Sequence, residues 1–208
     1  KIVLYHGSKQ GIKGTIDVNY SNAICDFGKG FYLGDSIYQA ENRVQNDTNS
    51  VLYAYEYTFG SCKEFNLNLL DSVTWALYVG YNRKKIKVTE TVKNLVRETK
   101  NNDMIIGLIA DDRMSKVFAE FLSGALTDVA LANCLNFVQY GNQYVLKNER
   151  AVNSLSYIGK YMVTEHMKQE AKRVHDIQKR QVEIYIEKQK KENTVGRRVY
   201  EYASDVGR

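Results

Sequence analysis

The sequence predicts an α+β domain over residues 1–158 followed by a basic helical C-terminal extension over residues 159–208. Three observations carry that reading. Short apolar stretches near the start are punctuated by Gly7, Gly11, Gly14, Gly28, Gly30 and Gly34, the pattern of brief strands joined by tight turns. In the middle, Met114, Val117, Phe118, Phe121 and Leu122 recur at three- and four-residue intervals before Gly124, the pattern of an amphipathic helix with a glycine stop. Beyond Ser154 the chain is Pro-free, nearly Gly-free and rich in Lys, Glu, Gln and Arg. There Val163, Met167, Val174, Ile177 and Ile184 lie on a partial heptad-like seam.

The elements follow in order. Residues 1–5 are strand-like, and Asp35 or Ser36 can open a helix over 36–43. Residues 51–59 are dense in β-formers and stop at Gly60, which predicts a strand whose tyrosines pack on its faces. Asp71 or Ser72 can cap a helix reaching Tyr81, and Val88, Val92, Leu95 and Val96 repeat at helical spacing up to Asn101. An apolar strand at 104–109 precedes the helix that ends at Gly124. A shorter helix is expected over 126–137, then a Gly141-Asn142 turn and a strand at 143–146. In the extension, Glu170 and Gln181 interrupt the seam, so packing on the parent domain or on a partner is expected rather than a self-sufficient coiled coil. Residues 194–208 are expected to be frayed or loosely docked.

Composition narrows the classes. A chain of 208 residues, 44% hydrophobic, is long enough to bury one full core. No run approaches the roughly 18 consecutive apolar residues that cross a bilayer, and the chain opens without an apolar signal region, so a soluble cytoplasmic protein without membrane partners is expected. Cys25, Cys62 and Cys134 are odd in number and widely spaced, which fits neither a disulfide framework nor a structural zinc site. The net charge of +5 is concentrated in residues 160–208, where twelve Lys/Arg face eight Asp/Glu. That surplus is too small to argue nucleic-acid binding by itself.

The residues that carry chemistry are Tyr5-His6-Gly7-Ser8, then Asp26-Phe27-Gly28-Lys29-Gly30-Phe31-Tyr32-Leu33, and finally Asn142-Gln143-Tyr144-Val145. Together they resemble the poly(ADP-ribose) polymerase-like, His-Tyr-Glu branch of the ADP-ribosyltransferases. They are more similar still to a bacterial offshoot with an Asp-Phe-Gly-x-Gly-Phe-Tyr block, a Gln-Ala pair on the next helix (Gln39-Ala40) and an Ala-Asp-Asp-Arg segment at 110–113. The resemblance implies two small, mostly antiparallel sheets forming an NAD cleft with flanking helices. NAD would be the co-substrate, with no metal. It implies His6, Tyr32 and Gln143 as the catalytic set. His6, Gly7, Ser8, Phe27, Gly28, Gly30, Phe31, Tyr32 and Gln39 would then form the NAD site.

The backbone of Gly7 would meet the nicotinamide carboxamide, His6 the adenosine-side ribose, and the ring of Tyr32 the nicotinamide, where a flat aromatic face suits a flat cation. Gln143 departs from the family, which has glutamate there. Glutamine keeps the hydrogen bond and loses the charge that favours an oxocarbenium-like transition state. Glu149 is a candidate source of that charge. The implied activity is mono-ADP-ribosylation of a protein or nucleic-acid acceptor with release of nicotinamide, as in toxins paired with small antitoxins; the C-terminal helix is the place for such a protein partner. The alternatives are a catalytically silent NAD or ADP-ribose reader and an RNA-directed relative of the tRNA 2′-phosphotransferases.

Other signals have plainer readings. Phe27-Gly28-Lys29-Gly30 lacks the spacing of a triphosphate-binding loop. Asp111-Asp112 are expected to serve a helix N-terminus rather than a metal. Cys134 is expected in the core, and His166 and His175 on a solvated helix.

Overall fold

The computed structural model describes residues 1–19, 21, 24–44, 46, 47, 49–87, 89–138 and 141–202. The fold is α+β. Strands β1 (Ile2–Ser8) and β2 (Phe31–Gly34) are followed by α1 (Ile37–Asn42), β3 (Val51–Tyr57) and β4 (Glu64–Asn66). Helices α2 (Ser72–Asn82) and α3 (Glu90–Lys100) lead to β5 (Met104–Leu108), α4 (Asp112–Leu122) and α5 (Asp128–Phe137). The chain continues with β6 (Asn142–Leu146), α6 (Glu149–Asn153), β7 (Leu155–Met162) and the 28-residue α7 (Glu165–Glu192). Val88, counted above in the α3 repeat, lies outside the described residues.

The helix starts follow local chemistry. Asp71 accepts from the backbone N–H of Val73 and Thr74, Thr89 from Val92, Asp111 from Arg113, and Thr127 from Ala130, each satisfying donors that the first helical turn leaves unpaired. At α1 the N-cap Ser36 makes no such bond. Asp35 instead holds the strand turn, accepting from the N–H and the Nδ2 of Asn142.

Two small sheets are expected from the sequence; the structure has one sheet of seven strands in the order β4-β5-β6-β2-β1-β3-β7. Neighbours are antiparallel except β4 and β5. The difference has a definite place. β1 pairs with β3 along its whole length, from Ile2↔Tyr57 to Ser8↔Val51, and β2 pairs fully with β6. Between β1 and β2, among the described residues, the register is the single pair Tyr5↔Gly34. One bridge, at the last residue of β2, therefore joins the two halves of the sheet.

Period-two alternation sorts the side chains between two cores. Ile105 and Val145 enter the helix-covered core with Trp75, Met114, Phe121 and Leu131. Met104, Ile106, Tyr144 and Leu146 face the opposite side with Leu4, Leu33 and Tyr57. Cys134 is fully buried in the first core, and burial pushes its thiol up to about 12.

The C-terminal quarter, from β7 onward, departs most from expectation. Residue 158, the expected end of the domain, lies inside β7, which pairs with β3 from Leu155↔Tyr57 to Met162↔Val51. In α7 the buried positions are Lys168, Ala171, His175, Val182, Ile186 and Gln189. They fall three, four or seven residues apart, as one face of a helix requires. Of the expected seam, Val163 is buried, but Ile177 is 44% and Ile184 72% exposed. The expected seam consists of large apolar residues, whereas the docked face also uses small and polar ones. His175, expected in solvent, is buried, with Asn42 Nδ2 3.1 Å from its Nδ1. Gln189 Oε1 accepts from Asn133 Nδ2 at 2.9 Å.

Of the two expectations for 194–208, fraying or loose docking, the described part shows docking. Thr127 Oγ1 donates to Asn193 O, Asp128 N to Arg197 O and the Tyr202 hydroxyl to Asp128 Oδ2, with Val199 buried among them. Residues 203–208 lie outside the described residues.

Candidate functional site

The sheet register brings the three motif blocks together. Tyr5 pairs with Gly34, Gly34 with Gln143 and Gln143 with Gly107, so one row crosses β1, β2, β6 and β5. His6 follows that row by one residue and Tyr32 precedes it by two. The three residues thus lie on adjacent strands around the single bridge between the sheet halves.

Next to that bridge, β1 and β2 are also held by a side chain. His6 Nδ1 lies 2.8 Å from the carbonyl oxygen of Tyr32, and its ring stacks on Phe31 with centroids 4.2 Å apart. Burial holds the imidazole below its ordinary value; the Tyr32 carbonyl opposes that shift and the Arg43 charge adds to it. A neutral ring beside a carbonyl donates from Nδ1–H, which leaves Nε2 as an acceptor. Phe31 belongs to the core on the His6 side, whereas the Tyr32 ring packs against the helix-covered core. Ser8 closes β1 opposite Val51.

Gly7 is where α1 comes down on the sheet. A Cβ there would collide with the carbonyl oxygen of Ala40 and stand 3.2 Å from a Val44 methyl. Because the obstacle is helix backbone, no rotamer relieves it. Gly7→Ala is therefore expected to destabilise by about 1–3 kcal/mol, lowering the melting temperature by about 2–4 °C for each kcal/mol lost. A thermal melt equal to the wild type would show that α1 yields freely.

Tyr32 anchors the turn before it. Its hydroxyl donates to Gly28 O at 2.6 Å and accepts from Phe27 N–H at 3.1 Å, and burial pushes the phenol far above its ordinary range, so it stays a donor. Gly28 sits at φ +75°, a left-handed conformation that glycine adopts without strain. Lys147 Nζ donates to the carbonyls of Phe27 and Lys29, and burial pulls its pKa down to about 8. Phe27 itself is 1% exposed, its ring filling the space over Gly107, and Gly30 packs directly against Val145. Phe27, Gly28 and Gly30 thus shape the turn, leaving the ring of Tyr32 rather than its hydroxyl for other contacts. Gln39 reaches back from α1 over Gly34. It lines, with Ser36, Asn42, Arg113, His175 and Gln178, a cavity of about 230 Å³ between α1 and α7.

Gln143 is 4% exposed. Its Nε2 donates to Asp26 Oδ2 at 3.1 Å and to Leu108 O at 3.2 Å. Both neighbours accept only, so the amide orientation is determined and Oε1 is the acceptor left over. Asp26 Oδ1 receives Arg83 Nε at 2.6 Å, and Arg83 also donates to Ser115 Oγ at 3.1 Å and to Ala110 O. Sequence reasoning misses Asp26 as the partner of Gln143 and Arg83 as the partner of Asp26; the one available signal is that Asp26 opens the Asp-Phe-Gly block. Glu149, the expected source of charge, is an exposed residue opening α6.

Among the described residues no group of three or more His, Cys, Asp or Glu is placed to hold a metal, and no helix is long and apolar enough to cross a membrane. A family model described as "Protein of unknown function (DUF3990)" matches residues 2–157, which include every site residue above. No curated protein and no solved structure matches the chain.

Proposed function

The chain belongs to the DUF3990 family of proteins of unknown function, and we propose that it is a mono-ADP-ribosyltransferase: it binds NAD beside the single bridge between β1 and β2 and transfers ADP-ribose to a macromolecular acceptor, releasing nicotinamide. The observation that carries this reading is the row Tyr5–Gly34–Gln143. It sets His6, Tyr32 and Gln143, far apart in sequence, on three adjacent strands around the single bridge between β1 and β2. Pairing reduced to one bridge between the two halves of the sheet supports assigning the ADP-ribosyltransferase fold.

The groups present fit NAD by their chemistry. His6 Nε2 and Gln143 Oε1 are both acceptors, suited to ribose hydroxyls, because the opposite sides of both groups are already engaged. Tyr32 keeps its hydroxyl on the turn and offers a ring face to a pyridinium, an attraction of about 1–2 kcal/mol when desolvated. The backbone pairing of β1 with β2 gives way beyond Tyr5, and at such a gap main-chain groups near Gly7 can meet a planar carboxamide. His6 orients the sugar, Tyr32 the base, and Gln143 the hydroxyl next to the bond that breaks.

The test is nicotinamide release from labelled NAD by purified protein in cell lysate, with transfer of label to macromolecules. Release and transfer that disappear in a folded His6→Ala variant are expected, and nuclease or protease sensitivity of the labelled product identifies the acceptor class. Saturable NAD binding without release would replace the transferase with an NAD-binding module, and no binding at all would overturn the reading.

A further inference from the structure

At position 143 the acid of the resembling enzymes is replaced by its amide, and the negative charge beside that amide belongs to another residue. Resting on the NAD reading above, we propose that Asp26 is the positioning carboxylate of the site: it fixes the Gln143 amide with Oε1 toward the sugar and supplies the negative charge that glycosidic cleavage needs.

The geometry is specific. Gln143 Nε2 directs its hydrogens to Asp26 Oδ2 and Leu108 O, so the amide cannot flip without setting its oxygen against two acceptors. Arg83 approaches Asp26 through Oδ1, leaving Oδ2 as the end that faces Gln143. Both members of this ion pair are largely withdrawn from water, with side-chain exposures of 17% for Asp26 and 19% for Arg83, where electrostatic effects exceed those in bulk solvent. The backbone of Asp26 is tied as well, its carbonyl accepting from Asn82 Nδ2 at 3.1 Å. The next two residues, Phe27 and Gly28, are fastened to the Tyr32 hydroxyl. Carboxylate, amide and aromatic ring therefore form one connected unit, although Asp26 and Gln143 are 117 residues apart.

In the reaction the bond from ribose C1′ to the pyridinium nitrogen breaks and its electron pair leaves with nicotinamide. The acceptor's lone pair forms the new bond to C1′, and its proton goes to water. Positive charge grows on the sugar in the transition state, and an oriented amide oxygen backed by a carboxylate stabilises it. Asp26 does not take the proton; it acts through Gln143.

The decisive experiment compares kcat and KM for NAD in the wild type, Asp26→Asn and the exchange Asp26→Asn/Gln143→Glu, with circular dichroism confirming folding. Asp26→Asn is expected to lower kcat about 100-fold or more with KM changed little. The exchange keeps both hydrogen bonds of position 26, because the introduced asparagine accepts from Arg83 and donates to the introduced glutamate. It also returns a negative charge to the pair, and it is expected to recover at least about tenfold of that loss. A folded Asp26→Asn enzyme with wild-type kcat overturns the assignment while leaving the transferase reading in place. If Asp26→Asn does not fold, the exchange decides: folded and active supports the role, folded and silent overturns it. A wild type that never cleaves NAD removes the transferase reading and this role with it.

Discussion

A chain ending at residue 164 is expected to lose cooperative folding altogether, although it retains the whole of the family match, residues 2–157, and every candidate site residue. The reason is what α7 and the segment after it bury. Val182, Ile186 and Val199 are at most 1% exposed and belong to the main helical core beside Met114, Phe121 and Leu131. The Tyr185 ring stacks on Phe137 with centroids 4.1 Å apart. Removing those three aliphatic side chains and the aromatic pair forfeits about 6–10 kcal/mol at about 1.5–3 kcal/mol for each buried aliphatic group and about 1 kcal/mol for the ring pair. Whole-domain stability is only about 5–15 kcal/mol. The expected result is loss of near-ultraviolet circular dichroism and gain of dye binding to exposed apolar surface. A truncated chain that melted cooperatively near the wild-type temperature would show that the extension merely rests on the domain. The single substitution Ile186→Ala gives the graded version, with an expected loss of about 2–5 kcal/mol in denaturant unfolding.

Gln143→Glu, the change that would restore the acid of the resembling enzymes, is expected to destabilise the protein at neutral pH. It would set a carboxylate against Asp26 Oδ2 and Leu108 O at a position only 4% exposed. Like charge and burial both favour the protonated form, so the folded-state pKa of the new glutamate rises above its unfolded value of about 4.3. Between those two pKa values the folded state binds the extra proton, so stability falls as pH rises through that window and stays low above it. The loss relative to wild type is expected at about 2–4 kcal/mol at pH 7.5, shrinking as pH falls to about 4 but not to zero, because a protonated carboxyl has one O–H for the two acceptors that the amide serves. Urea unfolding of both proteins at the two pH values measures it. An equal loss at both would mean that Asp26 is not the opposing charge. The position is built for an amide, which gives a physical reason for the glutamine in this chain.

Much of the candidate site is legible in the linear sequence because its signals are local. Glycine-punctuated strands, the acid or hydroxyl before each main helix and the spacing of Met114 to Leu122 all act through neighbours a few residues away, where turn and capping chemistry operates. The His6, Tyr32 and Gln143 blocks stand out through their resemblance to the ADP-ribosyltransferases, and the fold sets them on three adjacent strands.

Other features have no local signature. Tyr157, Ile158, Tyr161 and Met162 show no inward and outward alternation and all lie exposed, so nothing in their pattern separates them from the helix that follows; they form β7 because it pairs along the edge of β3. The face that α7 turns inward is set by the surfaces of α1, α4 and α5. That is why Ala171, His175 and Gln189 are buried while Ile184 faces solvent. Whether a glutamine at 143 stands in a neutral or a charged site depends on a carboxylate 117 residues away. Neighbouring residues along the chain dictate most of the elements, β7 excepted. Long-range packing dictates the inward face of α7, the single sheet and the partner of Gln143, because each depends on contacts between segments that carry no local trace of one another.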